Sequence, residues 1–184
     1  MDVLEAIKKR RSIRVFKSTP VDQNALDTIL EAGRLAPSWA NTQTWRFVII
    51  QDNNVKTLLA DSATALDSRN NSVLKQAPVV IAACAELNRA GCREGKPRTD
   101  KEGFWFMFDV ALALENMVLA AQELGIGTLY IGAFDAKEAG SVLGVPEGYS
   151  CVILLPLGYP NEQPEARQRK EISEIVFKNK FGVR

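Results

Sequence analysis

Val3, Leu4 and Ile7 share one helical face behind Asp2, a residue type suited to a helix N-cap. A second stripe, Leu26, Ile29, Leu30, Ala32 and Gly33, follows Pro20-Val21-Asp22, with Asp22 as N-cap, and stops at Pro37. Four continuous apolar runs, 46–50, 78–84, 128–131 and 151–155, have strand length and read as buried strands. A weaker helical pattern covers 55–65, a polar loop covers 87–103, and a helix capped by Asp135 extends to about Leu143. From Asn161 the tail is polar and basic, then apolar again at Ile172, Ile175, Val176 and Phe177.

The longest apolar stretch, 104–124, ends at Gly125 in the position of a C-cap glycine. It approaches the length of a membrane span. It also carries Asp109, Glu115, Asn116, Gln122 and Glu123, which predicts a buried globular helix with no membrane role. Asp109, Asn116 and Glu123 recur every seven residues as a narrow polar stripe. Such a helix is buried nearly all round, at the centre of the fold or against a second subunit. Alternating helices and strands predict an α/β or α+β class with one central sheet.

Length and composition narrow the function. The 184 residues suit one domain over 1–184, and 46% hydrophobic content is that of a globular chain. A formal charge of +1 gives no general field for nucleic acid. With no histidine, Ser-His and Cys-His nucleophilic schemes and His-based metal sites are excluded, and no metal centre is expected. Cys84 and Cys151 lie in apolar runs as small core residues, whereas Cys92 lies in the polar loop. Three cysteines without CxxC spacing, and an N-terminus unlike a signal peptide, suit a cytoplasmic location.

Four patterns carry candidate chemistry. Arg10-Arg11-Ser12-Ile13-Arg14 gathers three guanidiniums and a hydroxyl in five residues, a set that matches phosphate oxygens. It equally fits a solvated basic helix end. The loop from Ala36 to Trp45 interleaves Pro37, Ser38, Asn41 and Gln43 with Trp39 and Trp45, giving orienting polar groups and flat apolar surface. Trp45, which leads into a strand, reads as a core anchor. Gly132 and Ala133 at a strand end allow close backbone approach to a ligand. Arg167-Gln168-Arg169-Lys170 is either a solvated charge run or the second half of a phosphate clamp. Neither GxGxxG nor GxxxxGK[ST] is present, so side chains must hold most of any phosphate.

In this order the four patterns resemble the FMN-dependent nitroreductase family. The likeness runs over nearly the whole chain, from RRSIRVF through APSWANTQTWRFVII and FDVALALENMVLAAQELGIGTLYIGAFD to RQRKEISEIVF. It implies an α+β, nitroreductase-like fold, a central mixed and mainly antiparallel sheet surrounded by helices. It also implies an intertwined homodimer with FMN at the subunit interface. By this resemblance Arg10 and Ser12 hold the phosphate and ribityl chain, joined by Arg167 and Arg169, while Arg11 contributes backbone or phosphate contacts. Arg14 reaches the pyrimidine edge. Pro37, Ser38, Trp39 and Asn41 come from the opposite subunit against the ring, and Gly132 and Ala133 offer N–H groups near flavin N5 and O4. A further Asn and Lys contact falls among Asn70, Asn71 and Lys75, whose spacing does not choose between them.

The implied activity is NAD(P)H-driven reduction of nitroaromatics, quinones or similar electron-poor small molecules by a ping-pong hydride mechanism. Flavin N5 carries the chemistry, so no protein residue is named as catalytic. A cation at Arg14 would stabilise charge at the pyrimidine edge of reduced flavin. The acceptor would be chosen by the segment 86–106, including Phe104 and Trp105. The alternatives are a specialised dehydrogenase or dehalogenase of the same family, or a non-catalytic FMN-binding protein.

Overall fold

The computed structural model describes residues 2–64 and 68–183. Four strands, β1 (Trp45–Ile50), β2 (Val79–Glu86), β5 (Gly127–Thr128) and β6 (Tyr149–Gly158), form one sheet in the order β1-β2-β6-β5. Every ladder in it is antiparallel. A parallel bridge between Ser12 and Thr128 makes the sheet mixed and mainly antiparallel, the α+β arrangement expected. β3 (Cys92–Arg93) and β4 (Lys96–Pro97) form a separate hairpin inside the stretch expected to be loop.

Strand β2 explains the layering. Successive side chains of a strand point to opposite faces. Val79, Ile81, Ala83 and Ala85 pack with Leu26 and Ile29 of α2 (Gln23–Arg34) and with Val110, Leu114 and Met117 of α5 (Trp105–Glu123). Val80, Ala82 and Cys84 pack on the other face against α3 (Asn53–Ala63), α4 (Ser68–Gln76) and α6 (Ala136–Leu143), through Leu59, Leu74 and Ala139. The sheet is thus covered on both faces, which is why β2 reads as an unbroken apolar run. Cys84 and Cys151 are buried partners on β2 and β6, and Trp45 is a core residue, all as expected.

Side-chain caps set the helix starts. The Asp2 carboxylate accepts the Glu5 N–H at 2.8 Å and starts α1 (Val3–Lys9). Asp22, Asp52 and Asp135 do the same for α2, α3 and α6. Gly144, at φ 66°, ends α6. The helix expected over 55–65 begins two residues earlier, because Asp52 is its cap; its expected last residue, Ala65, lies outside the described residues.

Helix α5 is not buried all round. Asp109, Val110, Ala113, Leu114, Met117 and Val118 face inward, while Met107, Phe108 and the preceding Phe104 are exposed. Leu4 and Ile7 of α1 and Leu35, the C-cap of α2, are also exposed, and α1 packs on α5. Of the two situations expected for this helix, its inward face takes the first, since Val110, Ala113, Leu114, Met117, Val118 and Ala121 belong to the main core of the fold.

The two ends of the chain meet beside the sheet. The Lys17 N–H donates to the Tyr159 carbonyl at 2.8 Å, and the Asn161 N–H to the Val15 carbonyl at 2.9 Å. Phe16 bridges Pro160, and the short helix α7 (Ile172–Ile175) lies beyond in an exposed tail.

Candidate functional site

The first site residues fall where α1 stops. Arg10 is the C-cap of α1, in extended backbone, so the chain leaves the helix there. The next residues are held in a straight run: Ser12 bridges Thr128, and the Ile13 N–H donates to the Thr128 carbonyl at 2.9 Å. The Ile13 side chain lies against the bare Cα of Gly127. With Ile13 buried inward, Ser12 and Arg14 lie on the other side of the run. The Arg11 guanidinium turns back onto the Lys8 and Arg10 carbonyls, at 2.9 and 2.8 Å. Its side chain therefore serves the end of α1.

The tail closes the site from the other end of the sequence. Glu162 accepts the backbone N–H groups of Arg14 and, at 3.1 Å, Val15. The chain beyond Pro164 then runs past α1. The result is one cavity of about 430 Å³ lined by Arg10, Ser12, Arg14, Arg167 and Arg169. All five were candidates from sequence, and they converge from positions more than 150 residues apart in the chain. Glu165 is the one acidic residue in the lining. Arg11 lines the cavity as well, and five arginines around one concavity, with a hydroxyl among them, suit a multiply charged oxyanion such as a phosphate monoester.

Helix α4 connects this cavity to the next group of candidates. The Gln76 side-chain amide donates to the Arg14 carbonyl at 2.8 Å, and six residues earlier the Asn70 amide approaches the Ala133 carbonyl at 3.5 Å. Six residues of helix span about 9 Å. Asn71 and Lys75 both bind Asp61 instead, at 2.9 and 2.6 Å. Of the three candidates left open by spacing, Asn70 is therefore the one beside Gly132 and Ala133. Those two residues are exposed just past the Ile131–Leu154 bridge. A Cβ at Gly132 would meet only the tip of Ile153, at 3.6 Å, so the strand end is open on this side.

The third group lies elsewhere on the chain. Pro37, Ser38, Trp39 and Asn41 precede β1 and pack toward α5, and none of them lines the cationic cavity. Ser38 accepts the Gln43 N–H at 3.0 Å. The Trp39 and Trp105 rings lie 4.6 Å apart at 41°. The Trp105 indole N–H donates to the Thr99 hydroxyl at 2.8 Å, which ties the hairpin segment to this aromatic pair. Phe104 stands exposed beside them.

Beside these candidate residues, Tyr130 and Asp109 are displaced from their ordinary values. Burial first, and then the charge and hydrogen bond of Glu115, push the Tyr130 phenol up, with the nearby Arg10 cation opposing. Tyr130 therefore stays a neutral donor to Glu115. Burial also pushes the Asp109 carboxyl up, against the lowering effect of the Trp39 N–H and the Thr42 and Thr44 hydroxyls. Among the described residues there is no cluster of three or more His, Cys, Asp or Glu able to hold a metal, and no helix is long and apolar enough to cross a membrane.

Sequence reasoning missed three contributors. Glu162 makes a backbone contact across 148 residues, which leaves no local spacing signal. Gln76 acts through a single carbonyl. Asp109 was noted only as part of a polar stripe.

The sheet and the paired segments 15–17 and 159–161 thus bring both ends of the sequence to one cationic cavity. The sequence model of the nitroreductase family matches residues 7–159, and the chain belongs to that family. A nitroreductase family protein of Clostridium novyi NT superposes with a TM-score of 0.79 at 30% identity, covering 100% of this chain and 96% of its own. The NADPH:FMN oxidoreductase of Vibrio harveyi, solved with NAD+, superposes with a TM-score of 0.84 at 26% identity, covering 97% and 77%. The FMN reductase [NAD(P)H] of Bacillus subtilis is 29% identical over 178 residues, covering 91% of this chain and 70% of its own.

Proposed function

We propose that the protein is a cytoplasmic, FMN-dependent oxidoreductase that takes reducing equivalents from NAD(P)H and passes them to a small electron-poor acceptor such as a nitroaromatic or quinone. The observation that carries this is the cavity lined by Arg10, Ser12, Arg14, Arg167 and Arg169. Its donors fit the terminal phosphate of FMN, which riboflavin lacks. The names of the Vibrio and Bacillus relatives support the same cofactor and reductant.

When bound, FMN supplies two-electron hydride chemistry at its ring. The chain's own residues bind and orient it. Arg10, Ser12, Arg167 and Arg169 take the phosphate end. Arg14 adds a fixed cation on the way to the ring, where negative charge develops on reduction. Asn70 and the backbone at Gly132 and Ala133 present donors at the open strand end. Donor and acceptor use this face in turn, so the kinetics are ping-pong.

The unit of function is a homodimer in this reading. Leu4, Ile7, Leu35, Phe104, Met107 and Phe108 leave a large apolar face over α1, α2 and α5, more than an isolated subunit usually shows to water. The Ser38–Asn41 loop of one subunit, which does not reach its own cavity, lies against the ring held by the other.

The test is the visible spectrum of the protein titrated with FMN, followed by anaerobic mixing with NADH and with NADPH. A yellow dimer bleached by at least one nucleotide is expected, with parallel double-reciprocal lines in turnover. Protein that takes up no FMN, or bound FMN that neither nucleotide reduces, overturns the reading.

A further inference from the structure

Asp109 is the only buried carboxylate among the described residues, fully enclosed on the most apolar helix of the fold. A residue there that served packing alone would be apolar, because a carboxylate stripped of water is costly unless its oxygens are satisfied. The oxygens of Asp109 go to one place. Oδ1 accepts the Trp39 N–H at 2.8 Å and Oδ2 accepts the Thr42 hydroxyl at 3.3 Å. The buried Thr44 hydroxyl, which has no hydrogen-bond partner of its own, adds favourable interaction with the charge.

The segment so held is strained. Ala40, Asn41 and Gln43 have φ of 43°, 57° and 48°, three left-handed residues in four, none of them glycine. Such backbone persists only where the surroundings over-determine it, and it gathers at ligand-binding sites. Trp39 and Thr42 bracket two of the three, so the carboxylate grips both ends of the turn.

We propose that Asp109 is a positioning residue: its carboxylate holds the Trp39–Gln43 turn in left-handed backbone and thereby fixes Ser38, Trp39 and Asn41 against the flavin ring of the opposite subunit. This rests on the flavin reading above. Trp39 reinforces the arrangement, since its ring is clamped on Trp105 while its N–H is clamped on Asp109. The hydrogen bonds set the backbone and the stack sets the ring.

Three variants of the dimeric, flavin-loaded protein test the idea, with Arg10→Ala as the reference for the flavin site. D109N keeps an acceptor for the Trp39 N–H and offers an N–H to the Thr42 hydroxyl. D109L keeps the volume and removes both. T42V removes one bond from the loop side and leaves α5 intact. FMN affinity is expected within threefold of wild type for D109N, three- to tenfold weaker for T42V and at least tenfold weaker for D109L, with altered flavin absorbance bands. In flavin-free protein, amide exchange at Trp39, Thr42 and Gln43 is expected at least tenfold faster in D109L and faster in T42V, with β1 and β2 unchanged.

Unchanged loop exchange and unchanged FMN affinity in T42V and D109L overturn the proposal. So does faster loop exchange with wild-type FMN affinity, provided Arg10→Ala still loses FMN, and in that case the flavin reading stands. Should wild-type protein bind no FMN, the flavin reading fails and the proposal with it. If D109L does not fold, T42V and D109N decide by the same two readouts.

Discussion

The Glu162 carboxylate accepts the backbone N–H of Arg14, 148 residues earlier in the chain. It also takes the Val15 N–H at 3.1 Å, so one side chain satisfies two consecutive donors of an extended run. This contact fixes the direction from which the tail passes the cavity, and with it the placement of Arg167 and Arg169. A charge-assisted bond to backbone contributes about 1.5–3 kcal/mol. Glu162→Ala is therefore expected to weaken FMN binding about tenfold or more, with far-UV circular dichroism unchanged. Glu162→Gln, which keeps one acceptor oxygen, should lose about threefold. Flavin fluorescence titration reads both. Wild-type affinity in Glu162→Ala would show that the tail arginines do not depend on this anchor.

Arg10 should separate FMN from riboflavin. Its place in the cavity assigns it to the phosphate end, and its cation is worth about 1.5–3 kcal/mol to a charged acceptor. Arg10→Ala is expected to weaken FMN about tenfold or more and to leave the weaker riboflavin affinity unchanged. Equal losses for the two ligands would place Arg10 in the support of the fold, not at a phosphate.

Two glycines predict opposite stability effects. A Cβ at Gly127 would sit 2.6 Å from Ile13 Cγ1 and 2.9 Å from Ile13 Cβ, inside the contact that straightens residues 12–14. Gly127→Ala should cost about 1–3 kcal/mol by overpacking and loosen FMN as Ser12 shifts. Gly140 lies within α6, and its Cβ would meet Val145 at an ordinary 3.7 Å. Gly140→Ala should add about 0.5–1 kcal/mol by lowering the entropy lost on folding. Each kcal/mol moves the melting temperature by about 2–4 °C in a chain of this size. A thermal scan showing both variants shifted the same way would contradict the packing described for one of them.

What could be read from the sequence follows the physics of each element. β2 and β6 were visible because burial on both faces leaves an unbroken apolar run. Even so, β6 extends past the expected 155, since Pro156 sits opposite Val80 and still offers its carbonyl to the Leu129 N–H. The strand expected at 128–131 pairs over Gly127–Thr128, and beyond it Leu129 and Ile131 reach β6 through the Pro156 carbonyl and the Leu154 bridge. Helix α4 was not visible. Its sequence, SRNNSVLKQ, is mostly polar, and its burial rests on Val73 and Leu74. Yet α4 carries the choice among Asn70, Asn71 and Lys75, which spacing alone left open. The arginine candidates were legible as residue types. Their meeting around one cavity was one of two readings of the tail run, and only the family resemblance chose between them, because no local signal encodes a contact between the two ends of a chain.

Asp109 gives a pH dependence with a definite sign. Burial holds its carboxyl above the usual Asp value, and the groups that oppose the shift, the Trp39 N–H and the Thr42 and Thr44 hydroxyls, are all uncharged. The folded chain therefore keeps this proton more tightly than the unfolded chain, whose Asp titrates near ~3.9. Protonation stabilises the fold fully below that value, and the contribution is lost as pH rises through the folded-state pKa. D109N cannot titrate there. Carboxylates lowered by neighbouring cations, such as Asp61 beside Lys75 and Glu31 beside Arg34, titrate alike in both proteins and cancel in the difference. Urea unfolding of wild type and D109N from pH 4 to 8 should show the variant gaining on the wild type as pH rises, and then a plateau once the carboxyl is ionised. A flat difference, or one running the other way, would mean that the carboxylate is better satisfied by the turn it holds than its burial implies.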